Sequence, residues 1–444
     1  MEVTLQDILD ARERRVARQQ NLLAQYQKPL LCFTMNIAGP EKNNALITAG
    51  FQLGLSMLDA QLQADRITVL QKDIYEEATG CEGFYVVDTS ADLLKQIAVQ
   101  IEDFSPVGRL FDMDVLTTGG QNVSRESLGL PGRTCLICGG PVHSCSRSRA
   151  HSVEALQEKT RELLQEAIWQ QKAEQIGALA IKSLLSEVCT TPKPGLVDRR
   201  NNGSHKDMDI FTFMGSCAAL QPYFTRCALI GLQQRESSPK AVFEALRFWG
   251  KRAEHSMFAA TEGINTHKGV IFTLGLLCAA AGRCESTDPA QICAQVAAMV
   301  TGITTVDFTG KEETIGEKLY ATYGITGIRG QAEAGFPALL NVGLPKLEEG
   351  LSRGLTLEEA GCAVLLHLMC AITDTNLIAR SDVATQQKVC QQLCKLLEDN
   401  PFPSQETLEK LDAEFIEKNL SPGGSADLLA ATYFLHFLNA KRTP

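Results

Sequence analysis

Two aspartates one residue apart, Asp112 and Asp114 in the run RLFDMDVL, carry the sharpest chemical signal in the first half of this 444-residue chain. Read as a strand over 109–116, the run alternates faces, so both carboxylates project from one side and Met113 from the other. Adjacent carboxylates repel unless a cation lies between them, and Mg2+ takes such hard oxygen ligands while leaving positions open for phosphate. The pattern suits nucleotidyl transfer, in which a hydroxyl is activated and pyrophosphate released. It also describes two solvated carboxylates at the exposed end of a strand. Arg109 just upstream, and the basic segment from Arg133 through Arg147 and Arg149, favour the phosphate reading because guanidinium groups clamp phosphate through paired donors.

The same basic segment holds Cys135, Cys138, His143 and Cys145, with His151 beyond. Such residues can hold zinc, but the second pair follows the first too closely for the usual four-ligand knuckle, so reduced structural thiols are expected. A redox role for the Cys-x-x-Cys is disfavoured because no thioredoxin-like strand precedes it.

In the second half, SEVCTTPKPGLVDRRNNGSHKDMD sets Asp, Glu, Lys, Arg, His and Asn together between two helical patterns. Pro192 and Pro194 end the first helix, which leaves residues 190–209 as a loop of a length that is usually functional in a compact domain. Four further polar clusters interrupt apolar helices. GINTHKG offers Asn265, Thr266, His267 and Lys268 at a helix N-terminus, where free N–H groups and the helix dipole favour anions. GEKLYATYGITGIRGQAEAGFP reads as a glycine-rich loop carrying Lys318, Arg329 and Glu333. ITDTNLIARSD and SPGGSADLLA contribute Asp374, Asn376, Arg380 and Asp427. Each alone also fits helix capping and turn chemistry. No G-x-x-x-x-G-K-[ST] loop exists, so a phosphate ligand would need this composite.

These residues need elements to position them. Before about residue 150, β-like runs at 30–37, 83–88 and 109–116 alternate with helical runs at 45–62 and 92–102, an α/β or α+β unit. From Ser152 onward the 3.6-residue period is almost unbroken, in nine helical runs ending near Leu438. The net charge of −10 is shared between the halves, and no basic domain announces nucleic acid. The longest apolar run, Val270 to Ala281, is too short to span a bilayer, and the N-terminal MEVTLQDILDARERR has charges where a signal peptide needs an apolar core. A soluble, cytoplasmic protein with neither membrane nor nucleic-acid partners is expected. Fifteen cysteines, many on apolar helix faces, fit reduced thiols there.

The motifs MNIAGPEKN, GRLFDMDVL and RTCLICGGPVHSCSRSRAHS resemble the citrate lyase holo-acyl-carrier-protein synthases, which are phosphoribosyl-dephospho-CoA transferases. SEVCTTPKPGLVDRRNNGSHKDMD, GINTHKGVIFTLG, YGITGIRGQAEAGFP and ITDTNLIARSD resemble the triphosphoribosyl-dephospho-CoA synthases of the citrate and malonate decarboxylase systems. The resemblance implies a fused bifunctional transferase with two domains. Residues 1–165 would be α+β with a nucleotidyltransferase-like mixed sheet, and residues 166–444 all-α. It further implies that the second domain joins ATP to 3'-dephospho-CoA with loss of adenine, and that the first transfers the product to a serine of the apo-acyl carrier protein of citrate lyase, releasing pyrophosphate. A malonate decarboxylase counterpart, a helical ADP-ribose hydrolase joined to a nucleotidyltransferase, and a non-catalytic carrier-protein assembly factor are the competing readings.

On this resemblance, Asp112 and Asp114 hold Mg2+ and Arg109, Arg147 and Arg149 meet phosphates. In the second domain, Asp207 and Asp209 do the catalytic work, with Glu187 and Asp374 as second choices and Asp207 and Asp374 as metal ligands. Lys193, Arg199, His205, His267, Lys268 and Arg329 surround the triphosphate. The chain departs from the family pattern at Gln331, where Glu is expected after the Arg-Gly pair, with Glu333 as a substitute.

Overall fold

A computed structural model describes residues 3–306 and 315–440. The chain divides into two compact units, Met1–Gln170 and Gln171–Pro444.

The first unit runs α1 (Leu5–Tyr26), β1 (Leu30–Met35), α2 (Ala45–Ala64), β2 (Val69–Glu77), β3 (Gly80–Val87), α3 (Ala91–Phe104), β4 (Phe111–Leu116), α4 (Val142–Ser148) and the start of α5 (Val153–Cys189). The four strands form one sheet in the order β2-β3-β1-β4, and every pairing is antiparallel. The expected mixed sheet is therefore corrected. Among the described residues no two strands pair in parallel, since β1 lies between the antiparallel β3 and β4 and β2 pairs antiparallel with β3. The strand run also starts later than expected, at Phe111, since Pro106–Leu110 forms a 3-10 turn that carries Arg109.

Alternation along the strands builds two apolar layers. Leu31, Phe33, Phe111, Met113 and Val115 face α2, α3 and α5 in the main core, where Phe33 stacks on Phe51 and meets Phe111 edge-on. The opposite face buries Leu30, Cys32, Phe84 and Val86 under Leu22 and Leu23 of α1. Two elements lie outside the expected set, α1 and β2, the latter because its alternation is half-exposed throughout.

The second unit continues from α5 through α6 (Ile210–Gln233), α7 (Pro239–Ala260), α8 (Lys268–Cys284), α9 (Pro289–Met299), α10 (Ile303–Val306), α11 (Ile315–Tyr323), α12 (Gly327–Glu333), α13 (Leu344–Ser352), α14 (Leu357–Ala371), α15 (Thr375–Arg380), α16 (Val383–Asp399), α17 (Gln405–Glu417) and α18 (Gly423–Ala440). Helices α8, α14 and α18 are apolar almost all round and are buried accordingly. The all-α expectation holds. The glycine-rich stretch expected as loop instead holds α11 and α12 over its described residues. Among the described residues no single helix is long and apolar enough to cross a membrane.

Candidate active sites

In the second unit, the polar loops that the sequence scatters over more than two hundred residues converge. They line one cavity of about 1210 Å³ with residues from 187–213, 265–270, 316–331, 371–380 and 421–428. Pockets for single drug-sized ligands run to about 300–1,000 Å³, so this one has room for more than one nucleotide.

The loop at 190–209 buries Leu196, Val197 and Met208, and buried carboxylates order its backbone. Asp198 accepts from the backbone N–H groups of Lys193, Arg200 and Asn201, and Asp412 from Gly195 N–H and Asn201 Nδ2. Gly195 has φ +71°, and a Cβ there would meet Leu420 O at 2.2 Å, so the tight turn requires glycine. This loop brings Lys193 to the cavity wall, where its Nζ lies 2.5 Å from Glu187 Oε1 with both side chains buried. His205 accepts at Nδ1 from Arg380 Nη2 (2.9 Å) and so donates through Nε2 to Ser421 Oγ (2.9 Å). Burial and the Arg380 charge push its pKa down to about 4.

At the mouth of α8, Thr266 Oγ1 donates to Ser216 Oγ (2.8 Å), which lies 2.7 Å from His267 Nδ1. With Thr266 as donor, the Ser216 proton is directed to Nδ1, and the neutral ring carries its own proton on Nε2. That Nε2 is buried and has no hydrogen-bond partner, although His267 lines the cavity. Burial, reinforced by the Lys193 charge, pushes the imidazole pKa down to about 3, so it is neutral at physiological pH. Asp427 lines the same cavity, packed so close to Gly269 that a Cβ there would meet Asp427 Oδ2 at 1.9 Å. Burial first, and then the charges of Asp374 and Glu187, raise the Asp427 pKa well above the carboxylate norm. The cavity thus presents a neutral N–H donor and a carboxyl of raised pKa on one wall, near the start of a long helix.

The expected site residues divide. Lys193, His205, His267, Lys268, Glu187 and Asp374 line the cavity; Asp207, Asp209, Arg199 and Arg329 do not. Asp209 caps α6, its carboxylate taken up by Thr212 N–H and Oγ1. Asp207 is exposed. Arg199 pairs with Glu358 and donates to Cys189 O (2.9 Å). Arg329 faces Glu317 at 4.0 Å. Asp374 is a poor metal ligand: it accepts from four backbone N–H groups, those of Asn376, Leu377, Gly424 and Ser425, and from Ser425 Oγ, which occupies its lone pairs. Lys268 is half-exposed at the helix start and lies 3.2 Å from Glu254. Gln331 is on the cavity wall, whereas Glu333 turns away to bind Gly302 N–H and Thr304, so it does not substitute. Asp427 and Arg380, named in the polar clusters without an assigned role, line the cavity, and Ser216, which the clusters did not include, reaches His267. Asp427 was legible only as an acid near a helix start, and Ser216 as a small residue on an apolar face.

In the first unit, Asp112 and Asp114 share a face of β4, opposite Thr34 and Cys32 of β1. Burial, then the Asp114 charge, raises the Asp112 pKa against the pull of Arg133, Lys95 and Arg15. Arg133 Nη1 lies 3.2 Å from Asp112 Oδ1, and its Nη2 donates to Phe111 O (2.8 Å) and to the buried Glu102, which also receives Met113 N–H (2.8 Å) and Arg125. Arg133 is thus the arginine delivered to the aspartate pair. Arg109 instead donates to Thr134 O, and Arg147 and Arg149 are exposed at and beyond the end of α4. Two carboxylates on one face with a guanidinium alongside fit a divalent cation and its phosphate ligand.

Comparison with known proteins divides the chain the same way. Residues 3–167 match the apo-citrate lyase phosphoribosyl-dephospho-CoA transferase family, and residues 173–443 the ATP:dephospho-CoA triphosphoribosyl transferase family. Over 98% of its length the chain is 37% identical to Protein CitXG of Haemophilus influenzae, covering 96% of that protein. It is 33% identical to Protein CitXG of Leuconostoc mesenteroides subsp. cremoris over 98% of this chain and 97% of that one. A probable 2-(5''-triphosphoribosyl)-3'-dephosphocoenzyme-A synthase of Vibrio cholerae is 40% identical over 59% of this chain and 88% of its own. The chain belongs to the fused CitXG family of transferases, in which an apo-citrate lyase phosphoribosyl-dephospho-CoA transferase and a triphosphoribosyl-dephospho-CoA synthase share one polypeptide.

Proposed function

We propose that the helical cavity binds ATP and 3'-dephospho-CoA together and exchanges the adenine of ATP for a ribose hydroxyl of dephospho-CoA. The bond from the ATP anomeric carbon to adenine breaks, the hydroxyl oxygen bonds to that carbon, and the triphosphate stays on the ribose. The observation that carries the reading is the juxtaposition of His267 Nε2, buried without a partner, and the Asp427 carboxyl on the wall of one large cavity. Asp427 retains a proton that it gives to the departing adenine, and Glu187 accepts the proton of the attacking hydroxyl. Such displacement builds positive charge on the sugar, which ionised carboxylates stabilise. The triphosphate lies at the start of α8, against Asn265, Thr266, Lys268 and the His267 N–H, with Arg380 and His205 further along the wall.

In the first unit the serine hydroxyl of the apo-acyl carrier protein of citrate lyase attacks the phosphorus of the triphosphoribosyl group, and pyrophosphate leaves, as in nucleotidyl transfer. Asp112 and Asp114 would hold Mg2+, whose charge serves the departing pyrophosphate. Arg133, held by Glu102, orients the phosphates, and a nucleotidyltransferase-like use of the antiparallel sheet follows. None of the fifteen cysteines is joined in a disulfide, which suits the cytoplasm.

The test is incubation with ATP, magnesium and dephospho-CoA, read by mass spectrometry for free adenine and the triphosphoribosyl adduct. His267→Ala and Asp427→Asn should each lower adenine release by about 10²-fold or more while the protein keeps its thermal midpoint. Folded variants that release adenine at the parental rate would remove both residues from the chemistry.

A further inference from the structure

Between Ser124 and Ser152 only one residue, Cys135, is buried. Apart from Leu128 and Leu136, which pack partly buried against the core, the segment has little apolar burial to hold its shape, yet it carries Arg133 to Asp112 and receives Arg109 at Thr134 O. What the fold gathers there is a ligand set. Cys135, Cys138, Cys145 and His151 each bring one donor atom into a group whose members all lie within 4.8 Å of one another. Cys138 Sγ and Cys145 Sγ are 3.4 Å apart, close to the spacing of about 3.8 Å that two sulfurs take around one tetrahedral zinc with Zn–S near 2.3 Å.

Two further observations point to a metal. His151 Nε2 is buried with no hydrogen-bond partner, which costs free energy unless something coordinates it. The turn from Cys135 to Gly139 directs the N–H groups of Ile137 and Cys138 at Cys135 Sγ, and Gly139, at φ +71°, returns its own N–H to Cys135 O (3.0 Å). This is how a backbone turn supports a thiolate.

We infer that Cys135, Cys138, Cys145 and His151 form a closed, structural zinc site that holds the 131–151 segment in shape. The expectation of unliganded structural thiols is thereby revised. The short spacing argued against zinc, but the fourth ligand comes from His151 beyond α4 rather than from His143, which widens the loop. Three sulfurs and one imidazole select zinc over magnesium, and four protein ligands leave no position for substrate. The metal acts through position: Arg133 lies two residues before the first ligand. A second thiol group, Cys370, Cys390 and Cys394, has no fourth ligand among the described residues and serves as the control.

The full chain, expressed with zinc and dialysed against metal-free buffer, should retain about one zinc per chain by elemental analysis. Cys138→Ser and His151→Ala should each remove it, and Cys390→Ser should leave it in place. Cobalt exchanged into the parental protein should give the intense visible absorption of a tetrahedral thiolate site, a reading that needs no variant to fold. Metal loss should lower carrier-protein modification by about tenfold or more and spare adenine release. A zinc-free parental chain without a cobalt spectrum, or a zinc content unchanged in both Cys138→Ser and His151→Ala, overturns the assignment.

Discussion

Lys193 Nζ lies 2.5 Å from Glu187 Oε1, and both side chains are buried at the wall of the cavity. Each charge is tolerable only because of the other. Lys193→Met should therefore destabilise by about 3–5 kcal/mol, since it strands a buried carboxylate. The double variant Glu187→Gln, Lys193→Met should recover most of that loss. Denaturant unfolding of the two singles and the double gives the coupling energy; a cost below about 1 kcal/mol for Lys193→Met would mean that water, not the partner, solvates Glu187.

His267 makes acid stability the next measurable consequence. Its folded pKa is about 3, and an unfolded histidine titrates near 6.5, so between these values the unfolded chain binds a proton that the folded chain refuses. Stability is full above about pH 6.5 and falls as pH drops towards 3, by at most about 1.4 kcal/mol per pH unit for this group. His205, depressed to about 4 by burial and Arg380, adds in the same direction. His267→Gln should flatten the acid limb of the stability profile. An acid limb as steep as the parent's would show that the imidazole already takes up protons in the fold.

Gly269→Ala tests the acidic partner. Its Cβ would displace the Asp427 carboxyl, which lies 1.9 Å from that position, so adenine release should fall by about 10²-fold or more while carrier-protein modification continues. Asp427→Asn should lose the same activity but melt no lower than the parent at neutral pH. The folded pKa is raised, so above the unfolded value near 4 the fold penalises the charged form, and the amide removes that penalty. A drop in thermal midpoint for Asp427→Asn would mean that the carboxylate is held by contacts rather than merely enclosed.

The contrast between Asp427 and Asp207 shows where sequence reading ran out. Helix periodicity located nearly every long helix of the second unit, because each buries a stripe or a whole circumference that the 3.6-residue repeat reveals. The polar loops could be listed as interruptions of those helices, and the cavity collects all of them. Which carboxylate faces inward depends on the last turn of chain direction. Asp207 and Asp209 stood in the richest loop, yet one is spent on capping Thr212 and the other points to solvent. Asp427 sat in a helix start that resembles any other, and only the approach of α8 through Gly269 makes it part of the site. In the first unit the alternation in FDMDVL placed Asp112 and Asp114 on one face, as the strand register bears out. The choice of Arg133 over Arg147 and Arg149 depended on Glu102, a partner on α3 that no local pattern connects to it.

That network supplies the last prediction, which separates the two activities in the opposite sense. Asp112→Asn keeps the shape of the strand and removes one hard ligand, so carrier modification should fall by orders of magnitude while adenine release is retained. Stability at neutral pH should not suffer, because burial and Asp114 already oppose the charge on Asp112. Glu102→Gln should act indirectly. It weakens the hold on Arg133, so the apparent affinity for the triphosphoribosyl substrate should drop more than turnover does, and Arg133→Lys should share that pattern because a lysine cannot bridge Glu102, Phe111 O and Asp112 at once. Steady-state kinetics of carrier modification, with free adenine measured in the same tubes, reads both. An Asp112→Asn protein that modifies the carrier within a few-fold of the parent would leave the aspartate pair as a solvated strand end.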